Sequence, residues 1–515
     1  MAALWRLLGT SPARSPPPVV ESDDVYPVHM LDDTSTLRGI VVTWTLRFND
    51  VLDADKLSLS LSKLLEIGDW RKVGGRLRLK EDGKLEIRVP RPFTAERPAV
   101  SYTHQSIAMS IEEHPLAKTL PKATEAPSIQ SGPQGFRVFA AREDAPATLE
   151  DFVCQDIPQL SLHITSFDDA TLVALSWPHT LMDVMGQQAL LRGWSLVLAG
   201  REMEVPPLLG AREDALCAAA DAPVEGREEE FRLEQKRLRG WAMLMFGLRF
   251  AWDLLWNRVV ETRTIFLPKS VVAQLRRQAQ SDLAALDDGE GQKPFISEGD
   301  VLTAWALRAV VASLPQPRPV SVLHALNARF RLSSLVPAAS GVYVQNMAVA
   351  AFAFLSPEVA TGPLGPIALE NRRQLMEQST EAQVLACLRE LRRGSNSGSD
   401  PAMVCGESDA LLMPFTNWTR AGFFDTADFS PALVRAGEPG QSRTNPPGTM
   451  VFHHAQSMRQ STASRNVIVV LGKDHGDNYW LTGILLPAAW AKIEEAIDGI
   501  SQGGNKMENR AGRPI

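Results

Sequence analysis

The sequence predicts an α/β protein in two parts, and three observations carry that expectation. Strand-length apolar runs alternate with apolar residues at helical spacing. The length, 515 residues, exceeds what one ordinary core fills, and it allows roughly three domains or two large ones. Between Val205 and Arg239 the composition shifts: Pro206, Pro207 and Gly210 precede the charged run Glu225–Arg239. That stretch reads as a crossover between two domains, and Glu228 and Arg232 within it have the four-residue spacing of a solvated helix. The chain is therefore divided into a flexible, proline-rich leader (1–24), an N-terminal domain (25–204), a linker with an amphipathic helix (205–260) and a C-terminal domain (261–515).

The elements follow in order. Gly39–Phe48 has a strand pattern. Leu57, Leu59, Leu61, Leu64 and Leu65 follow Asp53, a good capping residue, so 53–65 reads as a helix. Gly74 and Gly75 break the chain, and short strands at 76–79 and 84–89 flank the turn Glu81–Gly83. Residues 104–150 lack periodicity and are expected to wrap the surface. Leu160–Phe167 and Thr171–Trp177, joined at Asp168 and Asp169, read as a hairpin. Leu190, Leu191, Trp194, Val197 and Leu198 then mark a helix.

Trp241, Leu244, Met245, Leu248, Trp252 and Leu255 recur at helical spacing, with Arg249 and Asp253 inside the run. Those charges exclude a bilayer span, which needs roughly 18 apolar residues. A helix packed on the protein is preferred there over one lying in a membrane interface. Arg263–Pro268 reads as a strand and Ser281–Lys293 as a polar loop. Ser297–Asp300 resembles a helix start, with Leu302, Trp305, Ala306, Ala309 and Val310 as the apolar face that follows. Pro319–Asn327 is a strand leading to Arg329. Loops are expected near 394–408 and 437–448, strands at Asn466–Leu471 and Tyr479–Leu485, and a closing helix at Pro487–Ile500 with proline in its first turn.

Composition removes several function classes. Hydrophobic residues make up 44% and charged residues 22%, as in soluble globular proteins. A net charge of −7 argues against nucleic acid as a partner, since phosphate binding needs a concentrated basic face. The four cysteines, Cys154, Cys217, Cys387 and Cys405, have no metal-ligand spacing and are too few for a disulfide frame. A reducing compartment, the cytoplasm, fits. Arg6 interrupts the apolar stretch Met1–Gly9, so no targeting segment is expected.

Motifs narrow the chemistry further. No P-loop, no GxGxxG after a strand and no HExxH is present. The one GxSxG match, Gly499–Gly503, follows a helix in a polar tail, where a nucleophile elbow has no strand to stand on. His453 and His454 are neighbours in a strand, so their side chains diverge and no shared metal is expected. The remaining candidate is His179. It follows the apolar strand Thr171–Trp177 and Pro178, and Asp183 and Gly186 come after it before the helix begins. Nine histidines and sixty acids in 515 residues give about one HxxxD pair by chance, and His29–Asp33 is another. Position distinguishes His179, because a strand-to-helix turn is where folds present side chains to ligands. A lone histidine there suits general-base removal of a proton from an acceptor.

The stretch His179–Asp183 with Gly186 resembles the HxxxD active-site motif of BAHD-type acyltransferases, of the chloramphenicol acetyltransferase-like fold. Further anchors run in family order. Val25–Asp32 is similar to the family's opening segment, and Asp300–Trp305 to its early C-domain helix. Asn327–Arg331 followed by Gly341–Asn346 is similar to its N-x-R-x-R and G-N stretch, and Phe415–Gly422 to its T-S-W segment. Asp428–Ser430 stands where DFGWG is expected, with Ser430, Pro431 and Ala432 replacing Gly-Trp-Gly. Gly68–Arg76 looks most like fungal members serving secondary metabolism.

The resemblance implies two such domains, each a mixed sheet flanked by helices, with the active site as a tunnel between them. It implies an O-acyltransferase, an acetyltransferase first of all, that takes acetyl-CoA or another acyl-CoA as co-substrate and a small lipophilic alcohol as acceptor. No bound cofactor, no metal and a monomer are expected. His179 is implied as the base. Thr416 is implied as oxyanion donor with Trp418 shaping the wall; an ordinary turn with a core tryptophan explains that pair as well. Asp183 either orients the His179 ring, as in a hydrolase triad, or pairs with Arg329 of the second domain, as the resemblance implies. Lys269, Arg276 and Arg277 are available for CoA phosphates but read better as a solvated face, so no CoA-binding residue is assigned. Two alternatives remain: a condensation or ring-forming enzyme of the same fold that uses no CoA, and a binding protein that keeps the fold without catalysis.

Overall fold

Two mixed sheets organise the chain in this computed structural model, which describes residues 15–223, 229–286, 294–335, 341–397, 400, 403–437 and 445–511. Their strands in chain order are β1 (Val41–Phe48), β2 (Ser101–Ser106), β3 (Ser128–Ser131), β4 (Ser161–Ser166), β5 (Thr171–Pro178), β6 (Glu261–Leu267), β7 (Val320–Asn327), β8 (Ala348–Leu355), β9 (Leu411–Asn417), β10 (Phe452–Ser457), β11 (Val467–Lys473) and β12 (Tyr479–Leu485). The first sheet has the order β10-β1-β5-β4-β2, the second β8-β7-β9-β11-β12-β6-β3. In the first, only β2 and β4 pair in parallel. In the second, β9 runs parallel to both neighbours and the other pairs are antiparallel.

The principal helices are α1 (Ala54–Leu64), α2 (Val184–Leu198), α3 (Ala215–Asp221), α4 (Gly240–Trp256), α5 (Lys269–Ala284), α6 (Glu298–Ala312), α7 (Leu364–Gln378), α8 (Glu381–Asn396) and α9 (Pro487–Ala511). Asp53 caps α1 by accepting from the Lys56 N–H at 2.9 Å, and Ser297 with Asp300 closes a capping box on α6. One core joins the first sheet to α1 and α2 and contains the buried rings of Trp44, Trp70, Trp177 and Trp194. A second joins the other sheet to α5, α6 and α9 around Trp305 and Trp490.

Each half of the chain contributes a strand to the other's sheet. β10 pairs antiparallel with β1, opposing His453 to Leu46, and β3 pairs antiparallel with β6, opposing Ile129 to Ile265. A third small core adds to this tie: Leu31, Leu216, Ala328, Met347 and Phe352 pack with Cys387 and Leu388 of α8. Residues from both halves are thus held by backbone ladders and shared packing rather than by a single loose face.

Several expectations change. Residues 104–150 do not merely wrap the surface. They contain β3, and Ile111, Ala117, Phe136 and Phe139 form a buried cluster with Phe167 and Leu172. Helix α5 runs to Ala284, so the start of the supposed loop at 281–293 is helical, and residues 287–293 lie outside the described residues. Helix α8 runs to Asn396, into the loop expected from 394. Glu228 lies outside the described residues, and Arg232 pairs with Glu377 at 2.9 Å. Helix α9 extends past Ile500 to Ala511. Helix α4 touches the protein along one side only, and none of its residues is buried. All four cysteines are free thiols. No described helix is long and apolar enough to cross a membrane.

Candidate active site

The site begins where β5 stops. All eight residues of β5 are buried between β1 and β4. Pro178 sits opposite Val41 at the end of the ladder, where the lack of an N–H costs nothing. The His179 N–H still reaches the Ile40 carbonyl at 2.9 Å, and Leu181 N–H closes a turn onto the Pro178 carbonyl at 2.9 Å. Asp183 then caps α2: its Oδ1 accepts from the N–H groups of Met185 and Gly186 at 3.1 and 3.0 Å.

Gly186 has a steric reason. A Cβ there would lie 2.3 Å from the Val344 carbonyl oxygen and 2.7 Å from Met182 Cβ. Only glycine lets the first turn of α2 approach the Val344 backbone this closely.

The other oxygen of Asp183 turns away from the histidine. Its Oδ2 accepts from Arg329 Nη1 at 2.7 Å and from the Met347 N–H at 2.9 Å. Four donors therefore occupy the carboxylate, which matches its acceptor capacity. Arg329 Nη2 donates to the Tyr343 carbonyl at 3.1 Å and to the Gln345 carbonyl. Both side chains are about nine-tenths buried. The pair ties the histidine turn to the segment after β7.

Asn346 makes a second tie, one that motif reasoning did not single out. Its Nδ2 donates to the His179 carbonyl at 2.9 Å and to Asp32 Oδ1 at 2.8 Å, and its N–H donates to the same Asp32 oxygen at 2.7 Å. Burial pushes the Asp32 carboxyl up to about 7, against the pull of nearby Lys72 and of Asn346. Behind it, buried Lys72 donates to the Ala211 carbonyl at 3.1 Å and approaches His29 Nε2 at 3.2 Å. Burial lowers the Lys72 ammonium to about 8, while Asp32, Asp214 and Asp69 work to raise it. Asn346 and Asp32 close two of the segments that carried the family resemblance, which was the available signal.

The His179 ring is lodged between these ties. Burial lowers its pKa from the usual imidazole value, and the smaller effects of its own carbonyl, Asp183 and Asn346 oppose that. Its Nδ1 is buried without a hydrogen-bond partner on another residue. The residue lines a chamber of about 690 Å³, together with Asp183, Asn346, Thr416 and Trp418. Leu31 and Leu37 close the chamber from the first half, and Leu323, Val349 and Met403 from the second. Thr416 is on β9, and the Trp418 N–H donates to the Val470 carbonyl at 2.8 Å. Among the lining side chains, the Arg420 guanidinium stacks over Phe330 at 3.4 Å. Lys269, Arg276 and Arg277 are on α5, away from the chamber lining. His453 and His454 face buried aromatic rings, and burial lowers both to about 3 and 4. Among the described residues no three metal-ligating side chains converge.

The chain resembles fungal acetyltransferases over nearly its full length. It is 39% identical to the O-acetyltransferase PaAT-2 of Phomopsis amygdali over 490 residues, covering 92% of this chain and 98% of that protein. It is 37% identical to the acetyltransferase pyiB of Pyricularia grisea, covering 93% and 94%. No family model matches the chain. Among solved structures, TRI101 of F. graminearum complexed with coenzyme A and T-2 mycotoxin superposes with a TM-score of 0.63 at 14% identity, covering 92% of this chain and 97% of that one. Vinorine synthase does so with a TM-score of 0.51 at 17% identity, covering 93% and 94%. These two likenesses speak for the fold alone. The chain belongs to the family of these fungal acetyltransferases, and it has the chloramphenicol acetyltransferase-like fold of the two solved structures. It is an acyltransferase enzyme.

Proposed function

We propose that the protein transfers the acyl group of an acyl-CoA, first of all acetyl, to a hydroxyl of a lipophilic secondary metabolite, with His179 as general base. One observation carries the reading: His179 borders an apolar chamber between the two halves, while Asp183 has no acceptor site left for its ring. With Nδ1 buried, Nε2 is the nitrogen left to face the substrates. On this reading 25–204 and 261–515 are the two domains, 205–260 links them and 1–24 is a leader. The enzyme works as a cytoplasmic monomer without bound cofactor or metal.

The steps balance without a covalent enzyme intermediate. Nε2 takes the hydroxyl proton as the acceptor oxygen bonds to the thioester carbonyl carbon. The Thr416 hydroxyl donates to the oxyanion that forms, and Trp418 bounds the space around it. Collapse breaks the C–S bond, and the imidazolium returns its proton to the departing sulfur. A thiol of pKa about 8.5 leaves readily, so no enzyme nucleophile is needed. Apolar walls from Leu31, Leu37, Leu323 and Met403 suit a lipophilic acceptor.

The test is release of free CoA from acetyl-CoA against a panel of lipophilic alcohols. A folded His179→Ala variant should lose about 10²–10⁴ in turnover. Because burial keeps the imidazole neutral below its usual range, the acid limb of kcat/KM should lie below pH 6.5. Full activity in His179→Ala would overturn the role. Product formation without CoA release would point to the CoA-independent chemistry of the same fold.

A further inference from the structure

Helix α4 presents to water the side that other helices hide. Trp241, Leu244, Leu248, Trp252, Leu255 and Trp256 follow helical spacing along one face, and all are exposed. The three indoles are 73%, 64% and 76% exposed. The only two charged side chains of the helix both bond to the protein, although Arg249 is itself exposed. Arg249 Nη1 donates to Ser408 Oγ at 3.0 Å, and Asp253 lies 3.7 Å from buried Arg465, which also donates to the Asp253 carbonyl at 2.9 Å. Phe246 and Phe250, both half-buried, stack on each other and line the recess that α4 forms with Leu411 and Arg465. The row from Trp241 to Trp256 along the outward face is apolar, with Arg249 at its flank, and both ends of the helix are basic. Between Glu234 and Arg258 stand five basic and two acidic residues, in a chain of net charge −7. Both acids are paired, Glu234 with Arg239 at 2.6 Å and Asp253 with Arg465.

We propose that α4 docks the enzyme on an anionic lipid bilayer, lying in the plane of the headgroup boundary. Tryptophans favour that boundary, and arginines beside an apolar face favour anionic headgroups. A second copy of the chain fits less well. An isologous antiparallel pairing of two α4 helices would set the Arg239 end of one against the Arg258 end of the other, basic on basic. The helix is also joined to the chamber. Leu238 N–H donates to the Val404 carbonyl at 2.9 Å and Gly406 N–H to the Lys236 carbonyl at 2.8 Å, and Met403 and Val404 line the chamber wall. Docking would bring the lipid surface beside the wall that an apolar acceptor must pass. That last consequence rests on the proposed acceptor chemistry; the docking does not.

The experiment is co-sedimentation of the full-length protein with vesicles, one set of phosphatidylcholine alone and one with about a third phosphatidylserine. Binding is expected on the anionic vesicles, with a blue shift of tryptophan emission, and about tenfold weaker on the neutral ones or in high salt. The variant Trp241→Ser/Trp252→Ser/Trp256→Ser should lose at least about tenfold in vesicle affinity. Its melting temperature and its activity on a water-soluble alcohol should match the wild type. Failure of the wild type to sediment with either vesicle, or undiminished binding by the triple variant, overturns the proposal. A dimer in solution that the triple variant dissolves, without vesicle binding, assigns the face to a second copy instead. Vesicle binding by a protein that acetylates no alcohol would uphold the docking and reject the proposed reaction.

Discussion

Helices α2 and α4 are both rich in large apolar side chains, and they end in opposite environments. Nine of the fifteen residues of α2 are buried, and none of the seventeen of α4 is. Two differences account for this. Helix α2 follows the central strand β5 and is capped by Asp183, so the buried strand and the cap fix where its apolar face points. Helix α4 follows an extended segment and starts at Gly240, whose φ of +50° is a left-handed conformation suited to glycine. The charges also fall on opposite sides. The only charge of α2, Arg192, faces water, whereas Arg249 and Asp253 of α4 reach the protein. Apolar periodicity identifies a face, and the position of the charges tells what that face meets.

The largest expected effects are at the anchored end of α2. Removing one partner of the buried Asp183–Arg329 pair strands the other charge, at a cost of about 3–5 kcal/mol. Asp183→Ala should cost about 1 kcal/mol more than Arg329→Ala, because it also removes the cap of α2. Both variants should lose activity along with stability in denaturant unfolding. If Asp183→Ala kept its stability and lost only activity, the carboxylate would be acting on the histidine, against the geometry.

Tryptophan truncation compares the two helices directly. Trp194 is fully buried, and its Nε1 donates to the Leu57 carbonyl at 3.1 Å and to Ser60 Oγ at 2.9 Å. Trp194→Ala should cost about 3–5 kcal/mol. Trp252→Ala removes a side chain of the same size from an exposed face, and should stay within about 0.5 kcal/mol of wild type. A large loss for Trp252→Ala would mean that α4 is covered in solution.

What could be read in the sequence follows the same division. The strand, turn and helix around His179 were legible because they are local: a buried run, a proline, a capping acid and a 3.6-residue period lie within thirty residues. Helices α1, α6 and α9 carried start signals of the same kind. Strand β3 was not legible, since SIQS has no apolar alternation and is a strand only because β6, over a hundred residues later, offers it an edge. Helices α7 and α8 have no counterpart in the sequence reading; α7 covers β8 with the side chains of Gln374 and Gln378, a polar pattern that propensity does not reveal. At the site, His179, Asp183, Arg329, Thr416 and Trp418 could be named from motifs. Asn346 and Asp32 could be paired only in space, because 314 residues separate them. The direction in which α4 faces is likewise a property of its neighbours, Ser408 and Arg465.

The smallest prediction isolates the comparison to a single methyl group. Two helical glycines make the test: Gly186 in the first turn of α2 and Gly247 in the body of α4. In an open helix, Gly→Ala reduces the backbone entropy lost on folding and is favourable by about 0.5–1 kcal/mol. At Gly247 a Cβ meets nothing within 4 Å, so Gly247→Ala should stabilise by about that amount. At Gly186 the same Cβ would lie 2.3 Å from a backbone oxygen that cannot swing aside. The first turn of α2 would have to move off Val344, at about 1–3 kcal/mol of overpacking, which exceeds the propensity gain. The two substitutions should therefore change the denaturation midpoint in opposite directions. The displaced turn carries Asp183 and adjoins His179, so Gly186→Ala should also lower kcat, while Gly247→Ala should leave it unchanged. Equal shifts of the same sign in both variants would mean that α2 does not touch the second half of the chain as closely as the Gly186–Val344 contact requires.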